Sequence, residues 1–326
     1  MWLPLVAIII GLVVLAWSAD RFIDGAAATA FHLGMPSLLV GLLIIGFGTS
    51  APEMVVSALA AAQGSPGLAL GNAYGSNIAN IGLILGAVAL MSPLVVHGQL
   101  LRQELPVLVA ITLLSGGLLL DGTISRLDST LLLVLLVSVV VLSIVRARQK
   151  ARKRASVLEE SESVAPAMSL RQGLAWTLAG LIVLVISSRL LVWGAVNVAE
   201  AMGVSDLVIG LTVVAIGTSL PELASSISAV RKGQHDMVLG NVVGSNLYNT
   251  LGVVGLAGII APIEAVSEAL YRDWPVMAAL TLAMVLFCLG RGGPGRVSRP
   301  EAALLVMSYL GYNGYLVTSA LAGQTG

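Results

Sequence analysis

The chain has 326 residues, 57% of them apolar and only 10% charged, with 17 basic and 17 acidic side chains cancelling to zero net charge. Soluble domains carry about a quarter charged residues, so this composition excludes a soluble globular protein, and the missing basic excess excludes a nucleic-acid binder. A single cysteine, Cys288, excludes an intrachain disulfide or a cysteine-based metal cage and reads as a small packing residue.

A membrane-spanning helix takes about 20–25 residues, so the chain has room for ten. Apolar runs broken by charge, Gly or Pro predict spans over 3–30, 37–63, 67–92, 104–120 and 127–145, then 172–200, 206–230, 236–260, 274–290 and 300–321. The first twenty residues lack a basic leader and recur later in the chain, so they are read as the first span and not as a signal peptide. The first and sixth spans are long enough to be strongly tilted. Between the fifth and sixth lies the only strongly hydrophilic stretch, basic from Arg146 to Arg154 and acidic at Glu159, Glu160 and Glu162. It reads as a flexible, solvated linker. The predicted organisation is a five-span half over 1–145, a charged linker over 146–171 and a second five-span half over 172–326.

An offset of 169 residues aligns the halves without a gap. Gly48-Thr49-Ser50-Ala51-Pro52-Glu53 meets Gly217-Thr218-Ser219-Leu220-Pro221-Glu222, and Gly71-Asn72-Ala73-Tyr74-Gly75-Ser76-Asn77-Ile78-Ala79-Asn80 meets Gly240-Asn241-Val242-Val243-Gly244-Ser245-Asn246-Leu247-Tyr248-Asn249. The same register pairs Gly11 with Gly180, Gly34 with Gly203, Gly41 with Gly210, Pro93 with Pro262 and Pro106 with Pro275. Chance alignment of apolar runs would not pair these polar residues. An odd number of spans per half turns the second half over, which predicts an all-α membrane protein of ten helices built as two inverted five-helix repeats, an architecture of secondary transporters.

Basic residues then set the orientation. With the linker cytoplasmic, that side holds Arg102, the basic residues between Arg146 and Arg171, Arg231, Lys232, Arg291, Arg296 and Arg299, against only Arg126 and Arg272 opposite. Arg21 and Arg189 fall inside the long first and sixth spans and are left out of this count. Both termini are expected outside, with the chain integral to the cell (inner) membrane.

Most acidic residues sit in loops or at span ends, but Glu53 and Glu222 lie in the middle of apolar runs, where an ionisable group costs several kcal/mol unless paired or hydrated. The preceding prolines cannot donate to the carbonyls of Gly48 and Gly217, so each helix should kink and free carbonyls for a ligand. Carbonyl, hydroxyl and carboxylate oxygens without His or Cys suit hard cations such as Ca2+ and Na+. Thr49 and Ser50 share a helical face with Glu53, and Ser76 with Asn80 and Ser245 with Asn249 are each four apart. Gly71 with Gly75, and Gly240 with Gly244, form small-xxx-small pairs for close helix approach. Asn72, Asn77, Asn241 and Asn246 are read mostly as interhelical hydrogen bonders. An inverted repeat would bring Glu53 and Glu222 together near the midplane. Their charge of minus two is neutralised by one Ca2+ or two Na+, and the empty pair should hold one proton, so the three ions compete.

The hexapeptides GTSAPE and GTSLPE, with GNAYGSNIAN and GNVVGSNLYN, resemble the paired alpha repeats of the cation/calcium exchanger superfamily, specifically its prokaryotic sodium/calcium exchangers. The resemblance covers nearly the whole chain. It implies Na+/Ca2+ exchange by alternating access, with the long first and sixth helices sliding against the other eight. By motif position it implies that Glu53 and Glu222 are shared carboxylates, that Thr49, Ser50 and Ser76 serve one Na+ site and Thr218, Ser219 and Ser245 another, that the carbonyls of Gly46 and Ala215 complete them, and that Asn80 and Asn249 flank the centre. Several members of that family have Asp at one of the last two positions, whereas this chain has Asn at both and keeps the charge at minus two.

The transported ions are thus expected to be Ca2+ and Na+, with the lipid bilayer as surroundings, no cofactor and no obligate protein partner. The rival readings are an H+- or K+-dependent exchanger of Ca2+ or another divalent ion, and a passive cation channel. A serine hydrolase acting through Ser76 or Ser245 needs a base at membrane depth, and the spans offer none: His32, His97 and His235 fall near span ends. Asp20, Arg21 and Asp24 are placed at the membrane interface or along an access path.

Overall fold

A computed structural model describes residues 2–98, 100–155, 168–202, 215–264, 267–289 and 295–322. Its helices are α1 (Trp2–Leu33), α2 (Ser37–Ala62), α3 (Pro66–Met91), α4 (Leu100–Leu118), α5 (Arg126–Ala155), α6 (Leu170–Ala201), α7 (Leu220–Arg231), α8 (His235–Ile260), α9 (Ala269–Leu289) and α10 (Arg299–Ala322). Eight of these, all but α7 and α10, are long and apolar enough to cross a membrane. Residues 206–214 of the expected seventh span lie outside the described residues, and the remainder forms a short helical turn, Ala215–Thr218, followed by α7.

The expected flexible linker is corrected at its start, because α5 continues to Ala155 through the basic run. The reason is local: this segment is made of Ala, Arg, Lys and Gln, strong helix formers that extend the hydrogen-bond ladder beyond the apolar region. The acidic run Glu159 to Glu162 lies outside the described residues. At the other end, Ser169 and Gln172 cap α6 reciprocally.

The 169-residue register persists in the element bounds. Helices α2 and α7 end at Ala62 and Arg231, α3 and α8 begin at Pro66 and His235, and π-helical turns occupy Leu100–Glu104 and Ala269–Asp273. Gly64 and Gly233, within the turns that join α2 to α3 and α7 to α8, take φ of 82° and 70°, a left-handed conformation that glycine adopts without a Cβ penalty.

Helices α1 and α6 run antiparallel along each other. A Cβ on Gly11 would meet Leu191, one on Gly180 would meet Phe22, and one on Gly25 would meet Gly173 and Thr177. Small residues at these crossings let the backbones approach, which is what stabilises helix pairs in lipid, where burial supplies no hydrophobic gain. Trp17 packs edge-on against Trp176 at 6.1 Å, and Arg21 lies over the same Trp176 ring.

Helices α3 and α8 form the centre, with 72% and 83% of their most apolar windows buried, against 17% for α5. The periphery presents Ile9, Val13, Val134, Val137, Val141, Leu304 and Met307 outward, a surface suited to lipid and not to water. Two antiparallel pairs of two-residue strands clip loops together: β1 (Leu94–Val95) with β4 (Arg296–Val297), and β2 (Thr123–Ile124) with β3 (Ile263–Glu264).

Candidate functional site

Helices α2, α3, α7 and α8 meet at the centre, and each carries one of the repeated polar motifs. Pro52 lies inside a continuous helix, whereas Pro221 sits in the first turn of α7 after a break at Ser219. The expected matching kinks are therefore unlike. Proline is tolerated in a first turn because its missing N–H has no partner there anyway. The carbonyl that Pro221 frees, that of Gly217, accepts a hydrogen bond from Ser188 Oγ at 3.1 Å.

Glu53 and Glu222 are each 2% exposed. The charge of Glu53 acts on Glu222, and Thr49 and Ser50 lie beside the Glu222 carboxylate, so hydroxyls from one motif face the acid of the other. Thr49 Oγ1 donates to the Ile45 carbonyl at 3.0 Å, while Ser50 Oγ makes no well-formed hydrogen bond. Most of the buried side-chain atoms without a hydrogen-bond partner among the described residues belong to the repeated motifs: both oxygens of Glu53, Oε2 of Glu222, Oγ of Ser50 and Ser219, Oδ1 of Asn77 and Asn249, and Nδ2 of Asn246, with Tyr74 Oη and His235 Nδ1 besides. Buried polar atoms are normally satisfied, at a cost of about 1–3 kcal/mol each when they are not. A group of oxygens carrying two carboxylates is what a hard cation satisfies.

The remaining expected ligands lie on the same helices and on the short turn before α7. Ser76 is buried one turn before Asn80, whose Nδ2 donates to Asn246 Oδ1 at 3.0 Å. Asn80 opens a π-helical turn (Asn80–Leu85), and Asn249 lies in its counterpart (Tyr248–Val253). Such wide turns are frequent at functional sites. Ser245 Oγ donates to the Gly46 carbonyl at 3.5 Å, and Thr218 is half-buried on the short turn that Ala215 begins. Among the described residues no three His, Cys, Asp or Glu side chains cluster, so any cation here would draw on neutral oxygens as well as the two carboxylates.

The asparagines join helices, as expected. Asn77 Nδ2 donates to Thr250 Oγ1 at 2.8 Å, and Asn72 Nδ2 to Ser57 Oγ at 3.1 Å. In the repeat-equivalent place Asn241 Nδ2 donates to Ser226 Oγ at 2.9 Å, and it also points at Ser225 Oγ and the Glu222 carbonyl while its Oδ1 accepts from Thr49 and Ser245. Sequence reasoning missed the role of Ser57 and Ser226, although the 169-residue register pairs them as identical residues just beyond the hexapeptides. Replacing Asn241 by Ala is expected to destabilise the protein by about 1–3 kcal/mol, because several buried partners lose their bond together. Asn72→Ala, which removes one such bond, should cost less, and thermal unfolding of the two purified variants ranks them.

A small, partly open cavity of about 50 Å³ reaches Glu53 past Asn72, Gly217, Thr218 and, from α6, Ser188 and Arg189. The two α6 residues were not anticipated as part of the site. The histidines remain peripheral: His32 Nε2 contacts the Met168 carbonyl, and exposed His97 pairs with Asp236 at 2.7 Å. The small-xxx-small pair Gly240 and Gly244 packs against α2, while no described atom lies within 4 Å of a Cβ placed on Gly71 or Gly75.

Comparison with known proteins matches residues 3–145 and 172–318 to the family described as sodium/calcium exchanger protein. The putative antiporter CaxA of Alkalimonas amylolytica is 43% identical over 96% of this chain and 98% of its own length. The sodium/calcium exchanger MaX1 of Methanosarcina acetivorans is 31% identical over 94% of this chain and 96% of its own. Among solved structures, the sodium-calcium exchanger NCX_Mj soaked with zero Na+ and Ca2+ superposes with a TM-score of 0.82 at 29% identity, over 96% of this chain and 99% of that one.

Proposed function

The chain belongs to the sodium/calcium exchanger family of the cation/calcium exchanger superfamily, and from that premise we propose that it is a secondary active antiporter exchanging Na+ for Ca2+ by alternating access. It is a multi-pass integral membrane transporter and not an enzyme. We place its ten helices in two inverted repeats, a reading supported by the recurrence of element bounds at 169 residues and by the antiparallel run of the equivalent helices α1 and α6. In this arrangement the termini lie outside and the linker is cytoplasmic, in keeping with the basic residues.

The observation that carries the reading is the meeting of Glu53 and Glu222, from equivalent motifs, amid buried oxygens without protein partners. One Ca2+ or two Na+ neutralise that pair, so each displaces the other. Thr49, Ser50, Ser76 and the Gly46 carbonyl serve Na+ on one side of the pair. Thr218, Ser219, Ser245 and the Ala215 carbonyl serve it on the other, with Asn80 and Asn249 flanking the centre. An inward Na+ gradient then expels Ca2+, because the same carboxylates must be vacated by one ion before the other binds.

The test is Ca2+ flux in sealed vesicles containing the full chain, with Na+, K+ and H+ gradients imposed one at a time. Counter-transport driven by Na+ alone is expected. Flux driven only by H+ or K+ would reassign the coupling ion, and Ca2+ leakage that needs no opposing ion would make the protein a channel.

A further inference from the structure

We propose that Arg189 is a specificity-determining residue of the cation site: a tethered cation at the mouth of the cavity that opposes Ca2+ more strongly than Na+. The proposal rests on the exchange reading above. Arg189 lies inside the membrane-spanning stretch of α6, nineteen residues from its start at Leu170, and is exposed on that helix. A guanidinium at that depth is costly unless it faces water or an opposite charge. It lines the cavity that leads to Glu53, between Ser188 and Val192, and its charge acts on the Glu53 carboxylate.

The consequence follows from charge. Two carboxylates and one guanidinium leave a local charge of minus one, which the first Na+ to enter cancels and a Ca2+ exceeds in one step, so the comparison is made ion by ion. At any fixed distance the guanidinium repels a divalent ion twice as strongly as a monovalent one. Arg189 therefore lowers Ca2+ affinity on the side where the cavity opens, which is where Ca2+ arrives or leaves.

The repeat-equivalent position makes the same point by contrast. There α1 carries an acid, Asp20, which already has partners within the protein: Ser228 Oγ donates to Asp20 Oδ1 at 2.5 Å, and Lys232 Nζ donates to the Asp20 carbonyl at 2.8 Å and to Asp24 Oδ1 at 2.6 Å. The two halves thus share their carboxylate motifs but carry opposite charges at this one equivalent place. A device shared by both ends would keep the sign, whereas one that sets a difference between the ends would not.

The experiment is equilibrium Ca2+ binding to the purified full chain, with Na+ competition, in Arg189→Gln, Arg189→Met and Arg189→Lys. Either neutral variant is expected to bind Ca2+ about fivefold more tightly, with a smaller change for Na+, and the Lys variant to stay within about twofold of the parent. Arg189 is exposed, and the two neutral replacements guard against a folding failure of one. Unchanged Ca2+ affinity in the neutral variants overturns the proposal, as does a Lys variant that behaves like them. Vesicle flux separates this result from the exchange reading. Tightened binding without Na+-driven flux retains the role of Arg189 and rejects exchange, Na+-driven flux with unchanged affinity does the reverse, and a parent chain that binds no Ca2+ rejects both.

Discussion

Glu53→Gln and Glu222→Gln are each expected to reduce Na+-gradient-driven uptake of radiolabelled Ca2+ to the level of vesicles without protein. Truncating one partner of a buried charge contact costs binding about 2–5 kcal/mol, and about 1.4 kcal/mol is tenfold in affinity, so the loss of Ca2+ affinity should be at least about 30-fold. Glutamine keeps the shape of the side chain, which separates lost function from lost folding. Without cations, two carboxylates buried against each other are a burden on the fold, and neutralising one should leave thermal stability unchanged or raise it. Adding Ca2+ should stabilise the parent protein, because a ligand that binds only the folded state adds to its stability, and should stabilise neither variant. Retained exchange in both variants would remove the carboxylate pair from the mechanism.

The second large effect is expected where α8 crosses α2. A Cβ on Gly244 would stand 2.5 Å from the Leu42 carbonyl oxygen and 2.9 Å from Leu42 Cα, and one on Gly240 would meet the Leu38 carbonyl oxygen and the backbone of Gly41 and Leu42. These neighbours are backbone, so no rotamer change relieves the clash and the helices must separate. Overpacking of this kind costs about 1–3 kcal/mol or more. Gly240→Val should therefore lower the unfolding temperature of the purified protein by roughly 5 °C or more, or prevent its accumulation in the membrane. The same separation would pull Ser245 from the Gly46 carbonyl, so a Gly244→Ala protein that still folds should bind Ca2+ more weakly. Gly311→Ala is the control: it is exposed on α10 with no described atom within 4 Å of the added Cβ, and Ala in an exposed helix is neutral or better by about 1 kcal/mol.

Much of the site was legible because membrane helices write chemistry in a sparse alphabet. Against an apolar background, Glu53 and Glu222 stand out, and four-residue spacing on a helix places Thr49 and Ser50 near the Glu53 turn. Spacing along one helix says nothing of what lies across from it, so the position of Thr49 and Ser50 beside Glu222 was out of reach. So was Asn241 as the junction of α2, α7 and α8, because its partners Thr49, Ser225 and Ser226 are separated from it in the chain. The basic run after Arg146 was misread for a different reason. Charge signals the end of the apolar span but does not end a helix, and α5 continues to Ala155 through a run of strong helix formers.

By itself the sequence determined that the chain crosses a membrane repeatedly, that it consists of two related halves, and that two acids lie in their apolar interiors. These follow from composition, periodicity and an internal register, all of which are properties of the chain read along its length. Tertiary structure decided which hydroxyls lie beside which acid, that one proline sits within a helix and the other at a helix start, and that Arg189 of α6 lines the cavity that reaches Glu53. The physical reason is that a repeat specifies equivalent positions in the two halves, whereas contacts between the halves depend on how closely the helices approach. In lipid that approach is set by small residues at the crossings and by interhelical hydrogen bonds, whose partners only the packed molecule brings together.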